Sequence, residues 1–245
     1  MLRTAPLRYL GSDYPSRVPT SPSLPAAVMW DMDGTLVDTE PYWIHAELEL
    51  AERDGGHWTH EDGLTLVGND LTFSAQQLRE RGGIKGTDIE IVNDLLERVI
   101  AQVREHGIPW RPGAQQLLQS ITAAGIPCAL VTMSYSNLAG VVAEALPAGT
   151  FGALITGDMV ANGKPHPEPY LTAAAALGVE PAECVALEDS VTGITSAEAA
   201  GMHTLGVKFL VPIPAAPQRS RVASLEQVTV EDLRSIVAGT VIDLL

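Results

Sequence analysis

The sequence predicts an α/β protein built on a doubly wound parallel sheet. Short apolar runs alternate along the chain with segments in which apolar residues recur at helical spacing. Glycines follow three of these helical segments, at Gly125, Gly178 and Gly201, as helix-terminating glycines commonly do. Hydrophobic residues make up 46% of the 245 residues, enough for one large domain or for a core with an insert.

The first predicted strand is the apolar run 26–30, which stops at Asp31. An uninterrupted apolar run of this length is typical of a strand buried on both faces of a parallel sheet. Similar runs predict four further strands, at 126–131, 153–156, 184–187 and 204–207. Helical periodicity predicts helices between them, at 113–124, 137–146, 167–178 and 192–200. After residue 210, a proline-rich loop is followed by a predicted short strand and helix.

Residues 41–106 break this alternation and predict a helical insert. Helical pieces are expected at about 41–53, 71–81 and 87–105, with no convincing strand among them, and the chain returns through a segment rich in Gly and Pro. We therefore predict an α/β core formed by 24–40 and 107–245 and a small helical domain formed by 41–106. Residues 1–23, rich in Pro, Ser and Arg, predict a flexible N-terminal tail.

Two aspartates, Asp31 and Asp33, stand where the first predicted strand ends. Ligands of open α/β sheets bind outside the carboxyl ends of the strands, so both carboxylates should face the same crevice. Aspartates two residues apart can divide the work of phosphoryl transfer, because one can attack phosphorus and bind a metal ion while the other moves protons. A calcium-binding loop would need glycine where Leu36 stands. A simple turn explains neither the pair nor its position at a strand end.

Further polar residues fall at or just beyond other predicted strands. Thr132 offers a hydroxyl group for a phosphoryl oxygen, and Lys164, between a glycine and a proline, offers a point charge held by a stiff backbone. Glu188 and Asp189 are adjacent acids that need a cation, although a helix cap near Asp189 would also fit. Oxygen ligands without a Cys or His cluster favour Mg²⁺.

In this order, the acid pair, the hydroxyl, the lysine and the second acid pair resemble the four motifs of the haloacid dehalogenase-like phosphohydrolase superfamily. The resemblance covers about residues 26–210, and within the superfamily it is to β-phosphoglucomutase-like and 2-deoxyglucose-6-phosphatase-like sugar phosphatases. It implies a Rossmann-like core, with the insert 41–106 acting as a small helical cap that closes over the substrate. The implied reaction is the Mg²⁺-dependent hydrolysis of a small phosphorylated metabolite, a sugar or polyol phosphate, through an aspartyl-phosphate.

The resemblance also implies a role for each motif residue. Asp31 would be the nucleophile and a metal ligand, and Asp33 would be the general acid and base and give its backbone carbonyl to the metal.

Thr132 and Lys164 would hold the phosphoryl group in this scheme. Asp189 would bind Mg²⁺, and Glu188 would support or join its ligands.

Other members of the superfamily provide alternatives. Dehalogenases lack the second aspartate, so Asp33 argues against dehalogenation, and Lys85 is poorly placed for the Schiff base of a phosphonoacetaldehyde hydrolase. A β-phosphoglucomutase-type enzyme would carry histidine where Trp43 stands and a cap arginine where Leu71 stands, although Arg53, Arg79 and Arg81 remain available. A binding protein without turnover is the other alternative, and it would have no need for Asp33.

Substrate recognition is expected from the insert. Its positions Trp43, Glu47, Asn69 and Asp70 are predicted to face the core, and we name Trp43, Asn69 and Asp70 as candidate substrate contacts.

Charge and composition restrict the partners. The net charge of −15, without a run of Lys or Arg, disfavours nucleic acid and anionic membrane surfaces. No stretch has the ~18 apolar residues of a membrane span, and no secretory signal is evident. Cys128 and Cys184 lie in apolar runs and are expected to be buried free thiols, which fits a cytoplasmic protein. A monomer is the expected state.

Overall fold

A single parallel sheet of six strands forms the centre of the molecule in the computed structural model, which describes residues 23–67 and 69–245. The strands are β1 (Ala27–Trp30), β2 (Cys128–Val131), β3 (Ala153–Ile155), β4 (Cys184–Glu188), β5 (His203–Val207) and β6 (Arg219–Val222). They are hydrogen-bonded in the order β3-β2-β1-β4-β5-β6, and every pair is parallel. The predicted parallel α/β sheet is confirmed. Residues 1–22 of the predicted tail lie outside the described residues.

Four helices are inserted between β1 and the rest of the sheet. They are α1 (Glu40–Asp54), α2 (His60–Leu64), α3 (Leu71–Glu80) and α4 (Asp88–His106). Helix α2 lies between the predicted helical pieces 41–53 and 71–81, where the sequence predicted no helix. It begins in a capping box, in which the Thr59 side chain accepts from the Asp62 amide and the Asp62 side chain accepts from the Thr59 amide. Division of the chain into a core and a cap stays a prediction.

The other helices cover both faces of the sheet. They are α5 (Ala114–Ala123), α6 (Ser136–Glu144), α7 (Glu168–Leu177), α8 (Val191–Ala199) and α9 (Val230–Val237). Alternate residues of β1 point to opposite faces: Val28 and Trp30 pack with α5, α6 and α9, whereas Ala27 and Met29 pack with α7 and α8. Because both faces are buried, the strands need the continuous apolar sequence from which they were predicted.

The chain enters and leaves the insert through two backbone segments that lie side by side. The amide of Asp38 donates to the Pro109 carbonyl at 2.8 Å, and the amide of Arg111 donates to the Leu36 carbonyl at 3.0 Å. This pairing fixes the start of α1 close to the carboxyl end of β1, so that α1 extends across the crevice at the strand ends.

Candidate active site

A cavity of about 230 Å³ lies between the carboxyl ends of the central strands and the inserted helices. The residues that follow β1, β2 and β4 form its floor, and residues of α1, α3 and α4 contribute to its wall. Five of the six site residues predicted in the core line it: Asp31, Asp33, Thr132, Lys164 and Asp189. The sixth core residue of the prediction, Glu188, is fully buried and contacts the lining lysine.

Lys164 is the centre of a buried charge network. Its ammonium group donates to Asp31 Oδ1 at 2.7 Å, to Glu188 Oε1 at 2.6 Å and to the Val131 carbonyl at 2.8 Å. These bonds use all the N–H donors of a lysine. Burial alone would lower the pKa of Lys164, but the charges of Asp31 and Glu188 raise it above its ordinary value. The side chain is therefore a fixed positive charge on the cavity floor.

Three carboxylates converge beside this lysine. One oxygen from each of Asp31, Glu188 and Asp189 lies within 4.8 Å of the others. Burial and the charge of Glu188 raise the pKa of Asp31 to about 7. Burial and the charge of Asp31 raise the pKa of Asp189 well above its ordinary range. Asp31 Oδ2 is buried without a hydrogen-bond partner in the described part of the chain, so the group fits a hard divalent cation that would neutralise and ligate it.

Two glycines make room for these carboxylates. Gly34 has a φ of +91°, and a Cβ atom there would overlap the Asp189 carboxylate. A Cβ atom at Gly193, near the start of α8, would overlap the Glu188 carboxylate. Ser190 caps α8 by accepting from the Gly193 amide at 3.0 Å, which fixes the turn that follows the two acids.

The Asp33 carboxylate is held by hydroxyl groups. Its Oδ2 accepts from Ser134 Oγ at 2.7 Å and from Thr132 Oγ1 at 3.2 Å, and its Oδ1 accepts from Thr39 Oγ1. Thr132 also accepts from the Ser134 amide at 3.0 Å. The structure thus brings Asp33 and Thr132 together. Thr132 also lines the cavity.

The candidate substrate residues of the insert lie in different places. Trp43 is 8% exposed and lines the cavity. Asn69 also lines it, and its amide group donates to the Thr65 and Leu66 carbonyls at 3.2 Å. Asp70 does not line the cavity. Its carboxylate instead accepts from the amide of the third residue of α3 at 2.9 Å, which makes it the N-cap of that helix.

Four side chains near the cavity were missed from the sequence: Glu40, Trp58, Ser134 and Tyr170. Glu40 lies seven residues before Glu47 on α1, a spacing of about two helical turns that would have placed both on one face. The other three act through contacts between distant parts of the chain, and no local pattern marks them.

Tyr170 lies on α7 and contacts the charge network without lining the cavity. It is fully buried, and its hydroxyl donates to Glu188 Oε1 at 2.7 Å. Burial and the charge of Glu188 raise the pKa of Tyr170 well above its ordinary value, so the hydroxyl stays a donor.

We expect Tyr170→Phe to lower kcat/KM by about 10-fold, because a hydrogen bond to a charged acceptor contributes ~1.5–3 kcal/mol. Steady-state kinetics at several Mg²⁺ concentrations measure the change, which should be larger at low Mg²⁺ if Glu188 supports the cation. Tyr135→Phe is the matched control, since within the described residues its hydroxyl makes no hydrogen bond. Equal kinetics of the two variants would show that the Tyr170 hydroxyl does not support the site.

None of the helices within 23–67 and 69–245 combines the length and the apolar character that crossing a membrane requires. The cytoplasmic location and the monomeric state stay predictions.

Comparison with known proteins identifies the family. The model of the haloacid dehalogenase-like hydrolases matches residues 25–201. Hexitol phosphatase B of Escherichia coli K12 is 31% identical over 217 residues, which cover 84% of this chain and 96% of the relative. Phosphoglycolate phosphatase of Escherichia coli O157:H7 is 32% identical over 203 residues, which cover 74% of this chain and 81% of the relative. The chain belongs to the haloacid dehalogenase-like hydrolase family, so its predicted membership and its hydrolase class are confirmed.

Solved structures support the fold. CbbY from Rhodobacter sphaeroides, in complex with phosphate, superposes with a TM-score of 0.74 at 29% identity and covers 83% of this chain and 96% of its own. β-Phosphoglucomutase from Clostridium difficile gives a TM-score of 0.72 over 88% of this chain and 98% of its own. At 23% identity, the mutase is similar in fold alone.

Proposed function

We propose that this protein is a Mg²⁺-dependent phosphatase that hydrolyses a monophosphate of a sugar or polyol through an aspartyl-phosphate on Asp31. The observation that carries the proposal is the pairing of a buried carboxylate, Asp31, with the ammonium group of Lys164 at 2.7 Å and with two further acids beside the cavity. The relatives named above as phosphatases support the reaction class.

The chemistry needs two transfers. An oxygen of Asp31 attacks phosphorus, the bond to the substrate oxygen breaks, and Asp33 donates a proton to that oxygen. Asp33 then removes a proton from water, which attacks the aspartyl-phosphate and releases phosphate and the free Asp31 carboxylate. Lys164 and the Thr132 hydroxyl would hold the phosphoryl oxygens during both transfers, with donors that bond Asp31 and Asp33 in this structure turning to the phosphoryl group. The first transfer starts with Asp33 protonated and ends with Asp31 phosphorylated and Asp33 ionised; the second returns Asp31 to the free carboxylate and Asp33 to its protonated form, so the enzyme turns over.

Asp31, Asp189 and Glu188, with the backbone carbonyl of Asp33, would hold the cation. When bound, Mg²⁺ neutralises the negative charge that accumulates as a carboxylate meets a phosphate dianion. The protein residues keep the geometry fixed, because Glu188 is anchored by Lys164 and Tyr170.

Removal of Mg²⁺ with a chelator should abolish phosphate release, and added Mg²⁺ should restore it. The folded protein should also gain stability from the cation, about 2.7 kcal/mol at a concentration 100 times its Kd. For a chain of this length, that corresponds to a rise in Tm of roughly 5–10 °C. The Asp189→Asn variant is the control and should lose most of this rise. Activity that persists in chelator, or a Tm that does not respond to Mg²⁺ in the unsubstituted protein, would contradict the assignment.

The insert 41–106 would act as the cap over this site, with the core formed by 24–40 and 107–245. Two observations support this proposal. The cavity lies between the insert and the strand ends, and the backbone passes between the two parts through the paired segments around Asp38 and Arg111. Closure of the cap would exclude water other than the attacking molecule.

A mutase that uses a sugar bisphosphate would need a second cationic site for phosphate. The arginines available for it are engaged elsewhere: Arg53 with Asp94, Arg79 with Asp88, and Arg81 with an acid of α2. None of the three lines the cavity. Because these arginines pair on the surface of the insert, the structure favours a phosphatase over a mutase.

The test is phosphate release with Mg²⁺ from a panel of sugar, polyol, nucleotide and phosphonate compounds, with Asp31→Asn as the blank. Release above the blank, strongest for a few sugar or polyol monophosphates, is expected. Turnover that appears only when a sugar bisphosphate primer is added would instead indicate a mutase.

A further inference from the structure

One face of α1 places two carboxyl groups in the wall of the cavity. Glu40, Trp43 and Glu47 all line it, at a spacing of three and four residues that keeps them on one side of the helix. The remaining wall from the insert is mostly apolar and includes Leu66, Leu71 and Leu95. The reaction proposed above uses neither glutamate.

Glu47 is a buried acid with an incomplete set of donors. It is 4% exposed, and its Oε2 accepts from the indole N–H of Trp58 at 2.9 Å. No other hydrogen bond to Glu47 occurs within the described residues. A carboxylate has about four acceptor positions on its two oxygens. Burial of a carboxylate that accepts only one hydrogen bond is unfavourable unless another group in the cavity donates to its remaining acceptor positions.

The surroundings hold Glu47 in place. Trp58 is itself 6% exposed and also lies beneath the guanidinium of Arg81, 5.2 Å from the ring centroid. Gly63 of α2 packs so closely that a Cβ atom there would come within 2.8 Å of Glu47 Oε2. The carboxyl group is thus pre-organised, as a recognition group should be.

The charge of this wall determines which substrates the cavity can bind. Burial raises the pKa of Glu47 to about 7. Burial, followed by the charges of Glu47 and Asp33, raises the pKa of Glu40 to about 8. Lys164 is the basic residue of the cavity lining in the described part of the chain, and the proposed reaction uses it for the phosphoryl group on the floor. A carboxylate or a second phosphate on the substrate would therefore meet acids and no counter-charge.

We propose that Glu47, oriented by Trp58 and assisted by Glu40, binds the hydroxyl groups at the end of the substrate farther from phosphorus, and so selects uncharged polyol or sugar monophosphates. This inference rests on the proposed function and names the residue that recognises the substrate of the same site. Hydroxyl groups fit because each one can donate to a carboxylate and accept from a protonated carboxyl group. The apolar side chains of the wall would pack against the C–H groups of the substrate's carbon chain.

The test compares Glu47→Gln with the unsubstituted enzyme on four substrates: a hexitol phosphate, p-nitrophenyl phosphate, phosphoglycolate and phosphoethanolamine. For the hexitol phosphate, we expect KM to rise about 10- to 100-fold, because a bond to a charged acceptor is lost. For p-nitrophenyl phosphate, which has no hydroxyl groups, kcat/KM should change less than about 3-fold. Glu52→Gln, at an exposed position of the same helix, is the matched control and should change neither.

Trp58→Phe keeps the ring but removes the N–H group, so it tests the positioning role if Glu47→Gln folds poorly. It should raise KM for the hexitol phosphate while leaving kcat/KM for p-nitrophenyl phosphate unchanged, a split that a general loss of structure would not produce. Calorimetric titration of a hexitol phosphate into the Asp31→Asn protein, with and without Glu47→Gln, gives the same comparison without turnover.

The outcomes separate the two proposals. Release from the hexitol phosphate, with a selective loss in Glu47→Gln, supports both. Equal losses on the hexitol phosphate and on p-nitrophenyl phosphate, or a preference for phosphoglycolate or phosphoethanolamine, overturn the role of Glu47 and leave the phosphatase intact. No release from any substrate overturns the phosphatase, and the calorimetric comparison then decides whether Glu47 still binds a polyol phosphate.

Discussion

Asp31→Asn is expected to abolish phosphate release. The amide that replaces the carboxylate is a poor nucleophile, so the route through an aspartyl-phosphate is closed. Loss of a covalent nucleophile lowers kcat by on the order of 10⁴-fold or more in enzymes that use one. Phosphate release from the best substrate, measured at saturating Mg²⁺, checks this expectation.

The same variant should keep the fold. Asp31 is buried, burial raises its pKa to about 7, and its Oδ2 lacks a hydrogen-bond partner within the described residues. A neutral side chain of the same size removes a buried charge while its carbonyl can still accept from Lys164. In the absence of Mg²⁺, we therefore expect a Tm equal to or above that of the unsubstituted protein.

Asp70→Asn is the matched control for this experiment. Asp70 is exposed and caps α3, and asparagine is an equally good N-cap, so both activity and stability should be preserved. If Asp31→Asn retained more than a few per cent of the activity, the nucleophile would have to be another group. If Asp70→Asn lost activity, the sequence-based suggestion that Asp70 contacts the substrate would regain support.

The fold and the floor of the site could be predicted because their signals are local. A strand buried on both faces must be apolar throughout, so the polar residue at its end is visible in the sequence, as at Asp31, Thr132 and Glu188. In a parallel sheet these ends meet at one edge, so their proximity follows from the topology. Lys164 was predicted in a different way, from its position between a glycine and a proline and from its place in the order of the motifs.

The wall of the cavity could not be predicted in the same way. Glu47 meets Trp58 because α1 and the segment before α2 pack together, and helical periodicity does not report which residues meet across two elements. Asp33 meets Ser134 because β1 and β2 are neighbours, although 101 residues separate the two. By contrast, the N-cap position of Asp70 was visible in the sequence, since Asp often precedes a helix. The prediction instead placed Asp70 among the insert positions that face the core.

Lys164→Met is expected to lower both activity and stability. Lys164 separates two acids that would otherwise face each other, since Asp31 and Glu188 bond to the same ammonium group at 2.7 and 2.6 Å. The lysine side chain is 5% exposed, so little solvent screens the three charges. Removing one partner of a buried ion pair costs about 3–5 kcal/mol. For a chain of this size, Tm should fall by roughly 6–20 °C.

The activity loss has a separate cause. Without the ammonium group, one fixed positive charge near the phosphoryl oxygens is lost, and groups of this kind contribute about 10²–10³-fold to kcat. Lys85→Met is the matched control, because that side chain is exposed on the insert and should affect neither quantity. Thermal denaturation and phosphate release measured on both variants test the two effects independently.

Mg²⁺ distinguishes the structural contribution of Lys164 from its catalytic contribution. The cation would lie beside Asp31 and Glu188, so it should restore part of the lost Tm by supplying positive charge to the same acids. It should not restore kcat, because the proposed reaction needs the Lys164 ammonium group itself to hold the phosphoryl oxygens. Recovery of both with Mg²⁺ would show that Lys164 serves only to balance charge. Loss of neither in Lys164→Met would remove the lysine from the site and, with it, the observation on which the proposed function depends.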